Sequence, residues 1–221
     1  MKRIKCLFLL LIVIVFSSCS KTNEINIYEK TINSIVEVKK TEGDSDSFGT
    51  AICINEDGDF ITNYHVIKRN NANTDISYQI CIRYSFEEDY RIADVIKFDV
   101  ENDMALIHVD DNIHKKIKFC NLSKIKNGDT VYALGNSQNQ GITMTKGIIS
   151  NYRVNVKVDN YIRTTIVSDS FICEGNSGGA LLNTNAELVG MTSFRLKDEY
   201  GNIIEGLTYS IPIDIIIEFI N

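Results

Sequence analysis

All three histidines of this chain, His65, His108 and His114, come before Ser177, which stands in the run Glu174-Gly175-Asn176-Ser177-Gly178-Gly179-Ala180-Leu181. A serine hydroxyl is almost fully protonated at neutral pH and attacks carbonyls poorly. It therefore needs a base beside it and donors aimed at the developing oxyanion. Flanking glycines suit the second need, because without a Cβ they let the amides of Gly175 and Ser177 turn into one small hole. The same string is also an ordinary Gly/Ser/Asn surface turn. Gly175-x-Ser177-x-Gly179 fits the nucleophile elbow of α/β-hydrolases too, but that architecture takes its histidine from after the serine. No histidine follows Ser177, so an esterase of that kind is not expected.

An order of histidine, acid and serine remains. His65 lies in Gly58-Asp59-Phe60-Ile61-Thr62-Asn63-Tyr64-His65-Val66-Ile67, after the apolar run Gly49–Ile54 and the turn signal Asn55-Glu56-Asp57-Gly58. This pattern predicts a hairpin whose second strand ends at the histidine. Asp103 opens the compact apolar segment Met104–Val109. A buried carboxylate there is suited to accept from the Nδ1 of His65, fixing its tautomer and stabilising the imidazolium formed during attack. Asp99 and Glu101 compete on spacing alone, with a solvated turn as their ordinary role.

The segments TNYHVI (62–67), NDMALIHV (102–109), YALGNSQNQGITMTKGIIS (132–150), EGNSGGALLN (174–183) and GLTYSIPID (206–214) carry a resemblance. In the same order they resemble the histidine, aspartate, activation-loop, serine and closing-strand motifs of a trypsin-like serine protease, most closely the protease domain of the bacterial HtrA/Deg family. The likeness runs from about residue 27 to 219. It implies an all-β fold of two packed antiparallel six-stranded β-barrels of the chymotrypsin type, with a short C-terminal helix. It also implies a serine endopeptidase with His65 as base, Asp103 as orienting acid, Ser177 as nucleophile and the amides of Gly175 and Ser177 as oxyanion hole. The alternative is a catalytically silent lipoprotein that keeps the protease fold as a binding module.

The family commonly has Asn-Pro before the glycine, where this chain has Cys173-Glu174. Without proline's fixed φ a more mobile loop and a switchable oxyanion hole are expected. Phe171 stands where trypsin-like enzymes carry an acidic specificity residue, so cleavage after Lys or Arg is not expected. The resemblance assigns substrate contacts to Asp169, to the wall strand with Thr192, Ser193 and Phe194, and to Thr208, which replaces a common glycine. A narrow apolar pocket for Val, Ala or similar residues follows. The histidine that glutamyl endopeptidases use to hold an acidic substrate has no counterpart after His114.

The first five residues, Met1-Lys2-Arg3-Ile4-Lys5, are basic. Residues 7–16 are continuously apolar, and Ser17-Ser18-Cys19 closes the segment with small residues. Ten apolar residues suit a secretory signal but fall short of the roughly 20 that a spanning helix needs. The cysteine resembles a lipoprotein signal, which implies cleavage after residue 18, lipidation of Cys19, and attachment to the outer face of a bacterial cell membrane; ordinary secretion is the alternative. Residues 19–26 then form a polar tether, 27–112 a first barrel, 113–127 a linker and 128–221 the second barrel, with Pro212 opening a closing helix at its first turn. The formal net charge is −6, which gives no electrostatic case for nucleic acid. Beyond Cys6 and Cys19 the cysteines are Cys53, Cys81, Cys120 and Cys173, for which secretion permits disulfides without dictating a pairing. No cysteine or histidine spacing calls for a metal, and no cofactor is expected. The partners implied are polypeptide substrates and a homotrimer. A PDZ domain, usual after the barrels in HtrA proteases, is not expected in so short a remainder.

Overall fold

The computed structural model describes residues 23–71, 75–85, 87–111 and 114–221. The leader, Cys19 and the first part of the expected tether lie outside the described residues. The tether's last residues differ from expectation, because residues 23–26 open a helix, α1 (Asn23–Thr31), that buries Ile27 and Thr31. Ile27 joins the core of the second barrel, and Tyr28 donates to the Ile142 carbonyl at 3.2 Å. Hydrophobic burial thus assigns residues 23–31 to the second barrel, although they lead directly into the first.

The first barrel comprises β1 (Ile35–Glu42), β2 (Ser45–Cys53), β3 (Asp59–Thr62), β4 (Tyr78–Tyr84), β5 (Arg91–Asp99) and β6 (Met104–His108). It closes in the order β1-β2-β3-β6-β5-β4. Glu42 faces Ser45 across a two-residue turn in which Gly43 has φ +60°, the left-handed geometry that lets a tight hairpin match strand twist. The turn into β3 is held by Asn55, whose Oδ1 accepts from the amides of Asp57 and Asp59, as turn-forming asparagines do. Val36, Val38, Ala51, Phe60, Ile80, Ile82, Tyr84 and Ile107 fill the interior. Each fully buried large apolar side chain contributes roughly 1.5–3 kcal/mol of transfer free energy.

The second unit contains β7 (Lys118–Phe119), β8 (Thr130–Asn136), β9 (Ile142–Val158), β10 (Tyr161–Ser168), β11 (Ala180–Asn183), β12 (Glu187–Lys197) and β13 (Ile203–Pro212). Its sheet order is β11-β8-β9-β10-β13-β12-β7, and a further β11–β12 pairing closes six of these strands into a ring. The all-β, two-barrel architecture is as expected. The expected linker, however, contains β7, which pairs in parallel with β12 at Glu187 and Leu188. Pro212 is the N-cap of the closing helix, Ile213–Ile220, one position earlier than the first-turn place expected for it. Ile213 and Ile216 of that helix are buried in the second core.

Candidate active site

The chain leaves β3 at Thr62, passes through extended Asn63, and enters a single helical turn, α2 (Tyr64–Ile67). His65 therefore sits just beyond the strand rather than at its end. Two side chains of the first barrel grip the far end of this turn. The ammonium of buried Lys40 donates to the Lys68 carbonyl at 2.9 Å, and the Tyr78 hydroxyl donates to that of Ile67. Burial pushes the Lys40 ammonium below its usual range.

Asp103 lies in the turn between β5 and β6 with φ +59°, a left-handed conformation that Asp tolerates better than most residues. Its carbonyl accepts from the Tyr64 amide at 3.1 Å and from Asn63 Nδ2 at 3.0 Å. Its carboxylate meets His65 twice, accepting from the backbone amide at 2.9 Å and pairing with Nδ1 at 2.7 Å. Ser193 Oγ, from β12 of the other barrel, donates to Asp103 Oδ2 at 3.0 Å. Burial works against ionisation of Asp103, but the hydrogen bonds from the His65 ring and amide and the nearby charge of Arg163 outweigh it. The carboxyl is held below its usual range. The competing Asp99 instead accepts from the amide and side chain of Asn102, a turn-capping role.

Ser177 reaches the same cleft from the second barrel. Its Oγ donates to the Ser193 carbonyl at 2.9 Å rather than to His65. The loop around it is tied to both barrels. Thr50 of β2, fully buried, donates through Oγ1 to the Gly175 carbonyl at 2.7 Å, accepts there from the Asn136 amide at 2.8 Å, and gives its own amide to the Ser177 carbonyl at 2.9 Å. The Gln138 amide holds the Glu174 carbonyl at 2.8 Å. Because the peptide is trans, its Gly175 N–H points away from that bond. Gly175 has φ +91°, and a Cβ there would meet the Asn136 carbonyl oxygen at 2.0 Å. Among the described residues, the amides of Gly175 and Ser177 have no acceptor. These ties act against the mobility expected of Cys173-Glu174.

Ser193 and Phe194 line a cleft of about 620 Å³ with Tyr64, His65, Ile172 and Ser177. A second hollow of about 770 Å³ opens beyond His65 and Ser177, reaching Phe48 and Asn139. The Phe194 ring stacks on Tyr209 with centroids 5.0 Å apart. The other three expected substrate contacts are not on the wall of either hollow. Thr192 Oγ1 donates to the Asn176 carbonyl at 2.6 Å and Thr208 Oγ1 to that of Ser170 at 2.7 Å, so both hydroxyls shape the loop from behind. Asp169 is exposed and accepts from the Ile148 amide at 2.6 Å. Arg163 and Thr50 touch the site without having been expected there. Cys53, Cys81 and Cys120 are buried free thiols, and Cys173 is a half-buried one.

A family model described as a trypsin-like peptidase domain matches residues 49–191. The chain is 31% identical over 200 residues to the serine endoprotease DegS of Haemophilus influenzae, covering 86% of this chain and 54% of DegS. It is 35% identical over 179 residues to a probable periplasmic DegP-like serine endoprotease of Buchnera aphidicola, covering 79% of this chain and 36% of that relative. Among solved structures, the HtrA-type protease AlgW with a tripeptide aligns at a TM-score of 0.77 and 26% identity, over 89% of this chain and 62% of that one. The chain thus spans about half the length of DegS and about a third of the DegP-like relative.

Proposed function

Because the chain belongs to the trypsin-like peptidase family, we propose that it is a serine endopeptidase similar to the HtrA/Deg enzymes, cutting peptide bonds with Ser177, His65 and Asp103. The observation that carries this reading is the convergence in one cleft of Ser177 from the second barrel with the 2.7 Å His65–Asp103 pair from the first. With Nδ1 committed to Asp103, the free Nε2 of His65 takes the Ser177 proton once the hydroxyl turns from the Ser193 carbonyl. Ser177 Oγ then bonds to the peptide carbonyl carbon, and the amides of Gly175 and Ser177 receive the oxyanion. Collapse breaks the C–N bond, His65 protonates the leaving amine, and water repeats the sequence on the acyl-enzyme.

Ile172 and Phe194 add apolar surface to a cleft that also carries Glu174 and Arg195, and that apolar part suits small aliphatic side chains before the cut. Substrates are secreted or misfolded polypeptides outside the cytoplasm, a location supported by the periplasmic relatives. The leader supports a lipid anchor on Cys19, detected as alkyne-fatty-acid labelling that Cys19→Ser removes. Fluorophosphonate labelling and casein digestion test the enzyme: wild type should show both and Ser177→Ala neither. Digestion surviving in Ser177→Ala, or wild type that never labels, overturns the reading.

A further inference from the structure

Resting on the serine-endopeptidase reading, we infer that Arg163 is a positioning residue of the triad, a cation that the second barrel places against the turn of the first barrel presenting Asp103. Arg163 lies on β10 and is 9% exposed. Its Nε donates to the Glu101 carbonyl at 2.7 Å and its Nη2 to that of Val100 at 3.3 Å, while Nη1 stands 3.8 Å from Asp103 Oδ2. Among the described residues, His65 and Arg163 are the cationic side chains within 4 Å of that carboxylate.

Two effects follow from one side chain. The fork onto the carbonyls of Val100 and Glu101 holds the left-handed turn in which Asp103 has φ +59°. A guanidinium is suited to this, since it offers several donors in a fixed plane and keeps its charge when buried. The charge itself opposes part of the field of Asp103 at His65. Asp103 still orients the imidazole, but the imidazolium is held less tightly than by an uncompensated carboxylate, so the base returns its proton to the leaving amine more readily. The other charged groups lining the two hollows are Lys68 at the end of α2, Asp159 between β9 and β10, Glu174 of the Ser177 loop, Arg195 and Lys197 of β12, and Lys40 and Asp46 of β1 and β2.

Arg163→Gln removes the charge while keeping a donor for a carbonyl; Arg163→Lys keeps the charge and gives up the fork. Each is compared with wild type by peptide hydrolysis from pH 5 to 9 and by NMR titration of the His65 ring. For Arg163→Gln, kcat is expected to fall about 10-fold with KM within twofold of wild type. The acid limb and the ring titration should both move to higher pH, the direction set by losing a cation beside the pair. Arg163→Lys should keep the wild-type titration with an intermediate kcat. A lower melting temperature in both variants with the titration unmoved overturns the inference and leaves a merely structural tie, as does an unchanged kcat in Arg163→Gln. If wild type neither cleaves nor labels, the enzyme reading fails, while the NMR titration still decides whether Arg163 acts on the pair.

Discussion

Asp103 gathers a backbone amide, an imidazole, a hydroxyl and a guanidinium around one carboxylate. Replacing it with Asn should leave the fold standing and lower kcat on the order of 10,000-fold, because an amide does not select the required histidine tautomer. Its lowered pKa also has a thermal signature. A carboxyl whose folded pKa lies below its unfolded value near 3.9 contributes stability that is present above that value and lost as pH falls through the folded one. The melting-temperature gap between wild type and Asp103→Asn should therefore narrow below about pH 4. Gly175→Ala should cost about 100- to 1000-fold in turnover, since its Cβ would stand 2.0 Å from the Asn136 oxygen and displace the amide. That His65, Asp103 and Ser177 meet in one cleft is legible in the sequence because their segments resemble, in order, the histidine, aspartate and serine motifs of trypsin-like proteases. That Arg163 joins them is not, since one arginine within a strand carries no signature of partners some 60 positions upstream. Asp169, Thr192 and Thr208 show the converse limit: spacing finds the segment but not whether a side chain faces the cleft or the loop behind it.

β2 contributes more than a barrel stave, because Thr50 stitches it to β8 and to the nucleophile loop. Thr50→Val keeps the shape and strands the buried Asn136 amide and Gly175 carbonyl, for an expected loss of about 1–3 kcal/mol per unpaired group. Chemical denaturation measures that loss, and kcat should drop with it as the loop relaxes. The strands themselves were readable from apolar runs and Asn/Gly turns. Less readable were the short pieces fixed by packing from elsewhere. α1 forms where polar residues suggested a tether, because Ile27 finds a core to enter. α2 interrupts what reads as strand because Lys40 and Tyr78 receive its last carbonyls. β7 arises inside a lysine-rich linker because the edge of β12 is there to pair with it.

Across the molecule the thiols report on both cores. Burial pushes Cys53, in the first, and Cys120, in the second, up to about 11. Maleimide at pH 7.5 should modify half-buried Cys173 well before either, and mass spectrometry after short exposure would show the order. Early modification of Cys53 alone would indicate that the first barrel opens independently. His65 and Asp103 come from that barrel and Ser177 from the other, with the ties of Thr50, Ser193 and Arg163 spanning the seam. On the proposed reading neither half by itself holds a complete triad, so fragment complementation becomes a practical assay. Co-expressed halves, inert apart, would regain turnover only on docking, and cleavage of a fluorogenic peptide would then count properly seated pairs.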